Sequence, residues 1–307
     1  LTHKKTLIVV IGPTAIGKTA LGIAFAKAYK TSIISCDSRQ FYREMNIGTA
    51  VPSILERAEA MHHFIQNKSI QDTYNAGDFE KEAMQLLYKL FKKRDVVIMV
   101  GGSALYEKAI THGLDDLPEI PLQIKKEIQQ EFEQKGLVWL QKEVQSVDSV
   151  FYKTVDHLNP RRLLRALEIH KATGYLMSDL QNNEAKTRDF NIIKVGLEAD
   201  RAILYARINR RVDIMLNSGL LQEAKSLRPF KKLPVLLTVG YQELFPFFEG
   251  KYDYQESIRL IKRNTRRFAK RQMTWYRKDS SVNWFSYQTR HTEIVQRVDT
   301  LMEFNTD

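Results

Sequence analysis

Eight consecutive residues, Gly12-Pro13-Thr14-Ala15-Ile16-Gly17-Lys18-Thr19, follow the pattern G-x-x-x-x-G-K-[ST]. That spacing suits an anion with several phosphoryl oxygens. Glycines let the chain wrap closely, so successive backbone N–H groups converge, and a helix starting directly afterwards adds the positive end of its dipole. Lys18 supplies a mobile full charge, and the Thr19 hydroxyl is the group expected to ligate Mg²⁺. An ordinary glycine turn before a helix is the alternative, disfavoured because eight residues stand in register with both flanks correct. The motif reads a di- or polyphosphate and does not say whether a nucleotide carries it.

A second candidate is a carboxylate. The short apolar run Ser32–Ser35 ends at Cys36-Asp37-Ser38, whereas Asp95–Val100 ends in Gly101-Gly102 with no acid. Many nucleotide hydrolases place a magnesium-supporting Asp at such a strand end. Asp37, the nearest acid at a strand end, is therefore expected to do something other than support a metal. Its structural alternative is a turn or helix-capping aspartate. Cys36 reads as a small buried packing residue. His62-His63 has no second ligand cluster at metal spacing and reads as structural.

The elements that must position these groups follow from periodicity. Thr6–Ile11 (TLIVVI), Ser32–Ser35, Asp95–Val100 and Asn191–Leu197 are short apolar runs that predict strands, and Val282–Phe285 suggests a late one. Thr19–Tyr29, Asp78–Lys93, Arg201–Ser218 and Glu256–Arg277 carry helical spacing. Alternation of the two predicts an α/β fold, a parallel sheet with helices on both faces. After Pro118 the pattern changes: Pro121–Lys135, Leu137–Val147 and Pro160–Thr173 read as helices with no strand among them. Gly136 and Gly174 are natural stops, and Pro160 suits a first turn. The organisation predicted is a core over residues 1–118 and 188–307, interrupted by an all-helical insertion domain over 119–187.

Composition narrows the class. The chain has 307 residues, 43% apolar and 27% charged, with 14 Gly and 8 Pro, which excludes low-complexity and collagenous chains. No run approaches the ~20 apolar residues of a membrane span. The opening Leu1–Val10 leads straight into the glycine loop and reads as a strand, not a signal peptide. A single cysteine excludes an internal disulfide or a cysteine metal cluster. A cytoplasmic protein without membrane association is expected. Lys and Arg number 47 against 36 Asp and Glu, a formal charge of +11. The excess is concentrated: Ser257–Lys278 holds nine basic residues and no acidic one. Such a block is a candidate polyanion surface, a solvated face being the alternative. Trp275, Tyr276 and Phe268 within it read as packing residues.

Residues 35–50, SCDSRQFYREMNIGTA, together with GPTAIGKT, resemble the tRNA dimethylallyltransferase (isopentenyl-tRNA transferase) family. Further matches are Gly101–Tyr106, Arg165-Ala166-Leu167-Glu168, Val239-Gly240-Tyr241 and Lys270–Arg277. The stretch Asp156–Arg162, Ser103 and Gln242 depart from the family's usual residues. The chain is similar to the family's compact bacterial form. The resemblance implies a P-loop kinase-like fold and transfer of a five-carbon prenyl group from dimethylallyl diphosphate to N6 of adenosine 37, beside the anticodon of tRNAs that read codons beginning with U. It implies that Asp37 is the general base and that Thr14, Lys18 and Arg211 hold the diphosphate, with Mg²⁺ on Thr19. Gly12 to Thr19 as a whole would bind phosphate or nucleotide (ATP). The family positions near tRNA fall on Asp37, Ser38, Arg39, Gln40, Ser103, Lys125, Arg161, Arg162, Arg165, Gly240, Tyr241, Gln242, Lys270, Arg271, Gln272, Thr274, Trp275 and Arg277. The expected partners are the tRNA anticodon stem-loop and dimethylallyl diphosphate, and a monomer is expected. Two other functions stay open on the residues alone: a P-loop small-molecule or nucleoside kinase, and an RNA-binding protein that uses nucleotide as a switch.

Overall fold

A computed structural model describes residues 5–181 and 184–304, with the side chain of residue 304 excepted. Residues 1–4, 182–183 and 305–307, which the predicted domains include, lie outside the described residues. The described residues divide into two compact units, one drawn from 5–111 and 187–304, the other from 112–186. The helical unit thus begins at His112, where sequence patterning put its start at 119: the stretch between has no strand or helix periodicity to mark it.

The elements of the first unit begin with β1 (Thr6–Ile11), α1 (Lys18–Ala28), β2 (Ile33–Ser35), α2 (Ile54–Glu59), β3 (His62–His63), α3 (Ala76–Phe91), β4 (Val96–Val100) and α4 (Ala104–Thr111). The second unit holds α5 (Leu122–Val147), α6 (Ser149–Thr154), α7 (Pro160–Thr173) and α8 (Met177–Leu180). The chain then returns through β5 (Asn191–Glu198), α9 (Arg201–Asn217), α10 (Leu220–Leu227), α11 (Leu244–Phe248), α12 (Tyr254–Tyr276), β6 (Val282–Ser286) and α13 (His291–Phe304).

The six strands make one sheet in the order β3-β2-β4-β1-β5-β6, every pair parallel. β1 lies inside it and all six of its residues are buried, as a strand covered on both faces requires. Its side chains alternate between two cores. Leu7, Val9 and Ile11 pack with residues of α3, α10 and α11, while Ile8 and Val10 pack with residues of α1, α9 and α13. His62 and His63 form the edge strand, pairing with Ile33 and Ile34. No sequence pattern marks a strand of two residues.

Register decides what emerges where. Val10 is level with Val100, and Val100 with Ser35. The glycine loop after β1, the Gly101-Gly102 turn after β4 and Cys36-Asp37 after β2 therefore leave the sheet side by side at its carboxyl edge. This edge is where open α/β sheets bind ligands.

In the helical unit, α5 is interrupted at Gly136 (φ 76°, ψ −174°), so the two helices predicted on either side of that glycine are present with the predicted break. Pro160 opens α7 behind the Asn159 cap, and Gly174 closes it in the left-handed conformation. One apolar cluster, built on Ile128, Leu140, Val144, Leu163 and Ile169, holds the unit together.

Lys194 of β5 is 4% exposed and bridges Glu107 of α4 (2.8 Å) and Asp279 beyond α12 (2.7 Å). Glu107 is itself 3% exposed. Replacing Lys194 by Met should cost about 3–5 kcal/mol, because it strands the Glu107 charge in the core. The double change Lys194→Met with Glu107→Leu should recover most of that loss. Urea denaturation of the three proteins checks this.

Candidate active site

α1 starts without a side-chain cap. Its N-cap is Gly17, in the left-handed region at φ 115° and ψ 15°, and no side chain accepts from the first turn. The amides of that turn therefore point out of the helix unpaired by it, with the dipole behind them. The loop ahead of them is tightly fitted. Gly12 has φ 141°, and a Cβ there would stand 2.7 Å from the Leu197 carbonyl oxygen of β5. Ala15 also lies at positive φ, 65°. The Thr14 amide, by contrast, does not face a ligand: it donates to Gln272 Oε1 at 2.9 Å.

Two cations lie over this loop. Lys18 Nζ donates to the carbonyls of Gly12 (3.0 Å) and Pro13 (2.8 Å). Arg211, from α9, donates through Nη1 to Thr14 Oγ1 at 3.3 Å. Burial, together with the neighbouring Arg211 charge, lowers the Lys18 ammonium to about 8, with Asp37 acting the other way. Burial also lowers Arg211, opposed by the charges of Asp37 and Glu56. Arg207, one turn earlier in α9, donates to the Ala15 carbonyl at 2.8 Å.

Asp37 lies in the long segment between β2 and α2. Its Oδ1 accepts from the Arg39 amide at 3.0 Å, an Asx turn, and its own amide donates to Ser35 Oγ at 3.4 Å. Oδ2 has no hydrogen-bond partner among the described residues. Gln40 spans the segment: Nε2 donates to the Thr49 and Ala50 carbonyls, and Oε1 accepts from Ser35 Oγ. Ser103 Oγ takes the Ser38 amide and pairs with its hydroxyl.

These groups share one cleft of about 450 Å³, within the usual size for a small-molecule site. Thr14 to Thr19 and Arg211 line it together with Asp37 and Gln40. Sequence reading did not place Glu56, His62, Arg207, Arg210, Ile214 or Phe268 there, although all contribute. Asp37 is thus not the only carboxylate on the cleft. Glu56 accepts the Ser53 amide in the capping box of α2, a signature visible in Ser53-x-x-Glu56.

The predicted RNA-facing residues divide. On α12 the buried stripe is Ile261, Ala269, Gln272 and Tyr276, and the outer stripe carries Arg267, Lys270, Arg271, Thr274 and Trp275, with Lys278 exposed just past its end. Trp275 is 43% exposed and Phe268 37%, which corrects their reading as packing residues. Helical phase puts them on the basic side. Of the nine basic residues, Arg259 pairs with Glu256, Lys262 with Asp213 and Arg277 with Glu198. Arg267, Lys270, Arg271 and Lys278 form no salt bridge among the described residues. Arg271 lies over the Phe268 ring. Gln272 is 6% exposed, Tyr241 is fully buried and Gly240 is buried. Neither side chain presents an outer surface. Gln272 joins the Thr14 amide to the Gly102 carbonyl (2.8 Å), and the Tyr241 hydroxyl donates to Glu223 (2.7 Å). Gln242 is half-buried and donates to Glu243. In the helical unit Lys125, Arg161 and Arg162 are exposed, while Arg165 donates to the Pro118 carbonyl at 3.0 Å.

Among the described residues no three His, Cys, Asp or Glu side chains come together as a metal site. A hydroxyl from Thr19 on the cleft wall still fits Mg²⁺, which keeps most of its shell as water and phosphate oxygen. No helix among the described residues is long and apolar enough to cross a membrane.

Residues 40–279 match the family model described as IPP transferase. The chain is 52% identical over 294 residues to the tRNA dimethylallyltransferase of Christiangramia forsetii, covering 96% of this chain and 97% of that one. It is 49% identical over 303 residues to the tRNA dimethylallyltransferase of Flavobacterium psychrophilum, covering 97% and 99%. Among solved structures, the full-length tRNA isopentenylpyrophosphate transferase of Bacillus halodurans superposes with a TM-score of 0.73 at 32% identity, covering 98% and 97%.

Lys18 titrates near 8 in the folded protein and near 10.5 when unfolded, so the unfolded chain holds more protons between those values. This group's penalty on folding is therefore full below pH 8 and fades as pH rises toward 10.5. A bound polyanion raises the ammonium's affinity for its proton. Inorganic diphosphate binding at pH 8.5 should then take up a proton, and Lys18→Met should abolish the uptake. Calorimetry in two buffers of different ionisation enthalpy reads it.

Proposed function

The chain belongs to the IPP transferase family, and from that premise we propose that it carries a dimethylallyl group from dimethylallyl diphosphate to N6 of adenosine 37 in tRNA. It is a prenyl-transferring enzyme whose substrate is tRNA. The relatives' names speak of alkyl transfer, and none of them supports the kinase alternative. The observation that carries the reading is that the unpaired amides of α1 and the Asp37 carboxylate line the same cleft.

The chemistry has two demands, one at each end of that cleft. N6 of adenine attacks C1 of the allylic chain, the C1–O bond breaks, and the diphosphate leaves with the bonding pair. An aromatic amine is a weak nucleophile, and its proton passes to the Asp37 carboxylate as the new C–N bond forms, a contribution on the order of 10²–10⁴-fold. At the other end Lys18, Arg211, the Thr14 hydroxyl and the loop amides meet the charge that grows on the leaving diphosphate. Thr19 would hold Mg²⁺, which when bound supplies further neutralisation of that charge. The cradle contacts read phosphate and not a base, so a nucleotide such as ATP would compete for it.

A stacked anticodon base does not reach such a cleft. The adenine is taken out of its stack, and the resemblance to the family assigns Arg39 and Gln40 to the neighbourhood of the space it leaves. Arg267, Lys270, Arg271 and Lys278 supply phosphate contacts of the anticodon stem-loop, and Trp275 offers an exposed aromatic face beside them. In the helical unit Lys125, Arg161 and Arg162 are exposed cations that would take further phosphate contacts. We place the enzyme in the cytoplasm as a monomer acting on tRNAs that read codons beginning with U.

Incubation with labelled dimethylallyl diphosphate and unmodified tRNA carrying A36-A37-A38 should label the tRNA, and no transfer would refute the reading. Asp37→Asn should lower single-turnover transfer by roughly 10²–10⁴-fold while tRNA affinity stays within about threefold of wild type, the span a conserved set of phosphate contacts allows. Equal loss of affinity would make Asp37 a binding residue. Lys270→Ala should weaken tRNA binding and reduce its log–log salt slope by about one unit, as read by filter binding across salt.

A further inference from the structure

The segment between β2 and α2, residues 36–53, carries Asp37 and Gln40 and contains no helix or extended strand. A connection of that length inside a compact domain needs something to fix its shape. Its fixed point lies outside it, on α10. Glu223 Oε2 accepts the amides of Asn46 (3.0 Å) and Ile47 (2.8 Å), and Oε1 accepts the Gly48 amide (2.9 Å) and the Tyr241 hydroxyl (2.7 Å). Three successive N–H groups converging on one carboxylate form the backbone nest that elsewhere binds a free anion. Here a side chain of the same protein fills it. The fit admits no bulk: a Cβ on Gly48 would stand 2.5 Å from the Tyr241 ring.

From this anchor a short relay leads to the reacting acid. Residues 49 and 50 follow the nest directly, and their carbonyls accept the two bonds from Gln40 Nε2 (3.3 and 3.0 Å). Gln40 Oε1 takes the Ser35 hydroxyl (3.2 Å), and Ser35 Oγ takes the Asp37 amide (3.4 Å). Thr49, Gln40, Ser35 and Asp37 all line the cleft, whereas Glu223 does not.

We propose that Glu223 is a positioning residue for prenyl transfer. Its carboxylate sets the backbone of 46–50, and through Gln40 that backbone orients Asp37 toward the acceptor amine. Glu223 touches neither substrate nor diphosphate. The proposal rests on the transferase reading.

The test combines Glu223→Ala, Glu223→Gln and Gln40→Ala, alone and with Glu223→Ala. Single-turnover transfer at saturating substrates should fall about 10²-fold in Glu223→Ala, the scale of a misplaced catalytic group. Inorganic diphosphate affinity and tRNA affinity should stay within about threefold, as expected when the altered group touches neither ligand. Glu223→Gln keeps one acceptor oxygen and should fall between the two. The double variant with Gln40→Ala should be no slower than the slower single variant, because both act through one relay. Hydrogen exchange at the Asn46, Ile47 and Gly48 amides should accelerate in Glu223→Ala before global unfolding. Wild-type transfer in Glu223→Ala, multiplied effects in the double variant, or a parallel loss of diphosphate binding would each overturn the proposal. If Glu223→Ala does not fold, Glu223→Gln carries the same rate and exchange comparisons. Absence of transfer in the wild-type protein would sink the transferase reading instead, and the exchange arm would still decide whether Glu223 fixes the loop.

Discussion

The first turn of α1 has donors and no cap, and the rest of the site is arranged around that imbalance. A helix that ended its first turn on Ser or Asp would satisfy those amides internally and gain stability. Here Gly17 stands at the cap and Gly12 is pressed against β5, so the loop is held open around the amides. Lys18 and Arg211 then bring two half-buried cations to the same place, where the Arg211 charge disfavours that of Lys18 and the Arg207 charge disfavours that of Arg211. A polyanion relieves all three at once: it satisfies the donors, meets the dipole and offsets the repulsion among the cations. Stability has been given up for a site that is complete only with its ligand.

Gln272 links this cradle to the basic surface of α12. It projects from the inner stripe of α12, and its amide group spans the Thr14 N–H and the Gly102 carbonyl, so one side chain ties together the loop after β1, the turn after β4 and the basic helix. The outer stripe of the same helix carries the unpaired cations and Trp275. Helical spacing keeps the roles apart: positions 269, 272 and 276 turn inward while 267, 270, 271, 274 and 275 turn outward. The Lys194 bridge to Asp279 fixes the chain just beyond the helix.

Elements and loop chemistry were legible in the sequence wherever a local pattern states a physical need. Thr6–Ile11 is fully apolar because both faces are covered, and the glycines at 12 and 17 stand where the backbone takes conformations other residues resist. The Gly136 break and the Asn159-Pro160 start of α7 are similarly local. What escaped is what only register and packing create. His62 reaches the cleft because a two-residue strand pairs beside β2, and Arg207 because α9 crosses the loop. Trp275 and Phe268 are apolar letters on a helix whose inward phase was already filled by others. Glu223 stands among ordinary surface residues, and nothing in its neighbours points to three amides 175 to 177 residues away.

The sheet order also explains why the acid comes from β2 and not from the strand beside the phosphate loop. β4 adjoins β1, and a carboxylate at its end would sit close to the phosphates, as in nucleotide hydrolases. That place is closed by packing. A Cβ on Gly101 would lie 2.4 Å from Cys36 Sγ and 2.7 Å from the Cys36 carbonyl carbon, and one on Gly102 would lie 2.4 Å from Gln272 Nε2. The first conflict involves backbone, which a rotamer change does not relieve. The acid therefore stands one strand further out, on the far side of β4 from β1. Two strand spacings are roughly 10 Å, against roughly 5 Å for the neighbouring strand. The shorter distance suits a group that holds a metal on the phosphates. The longer one leaves room between the loop and Asp37 for the allyl chain and purine edge of the transfer proposed above, and the close packing at Gly101 and Gly102 leaves none for an acid beside the loop.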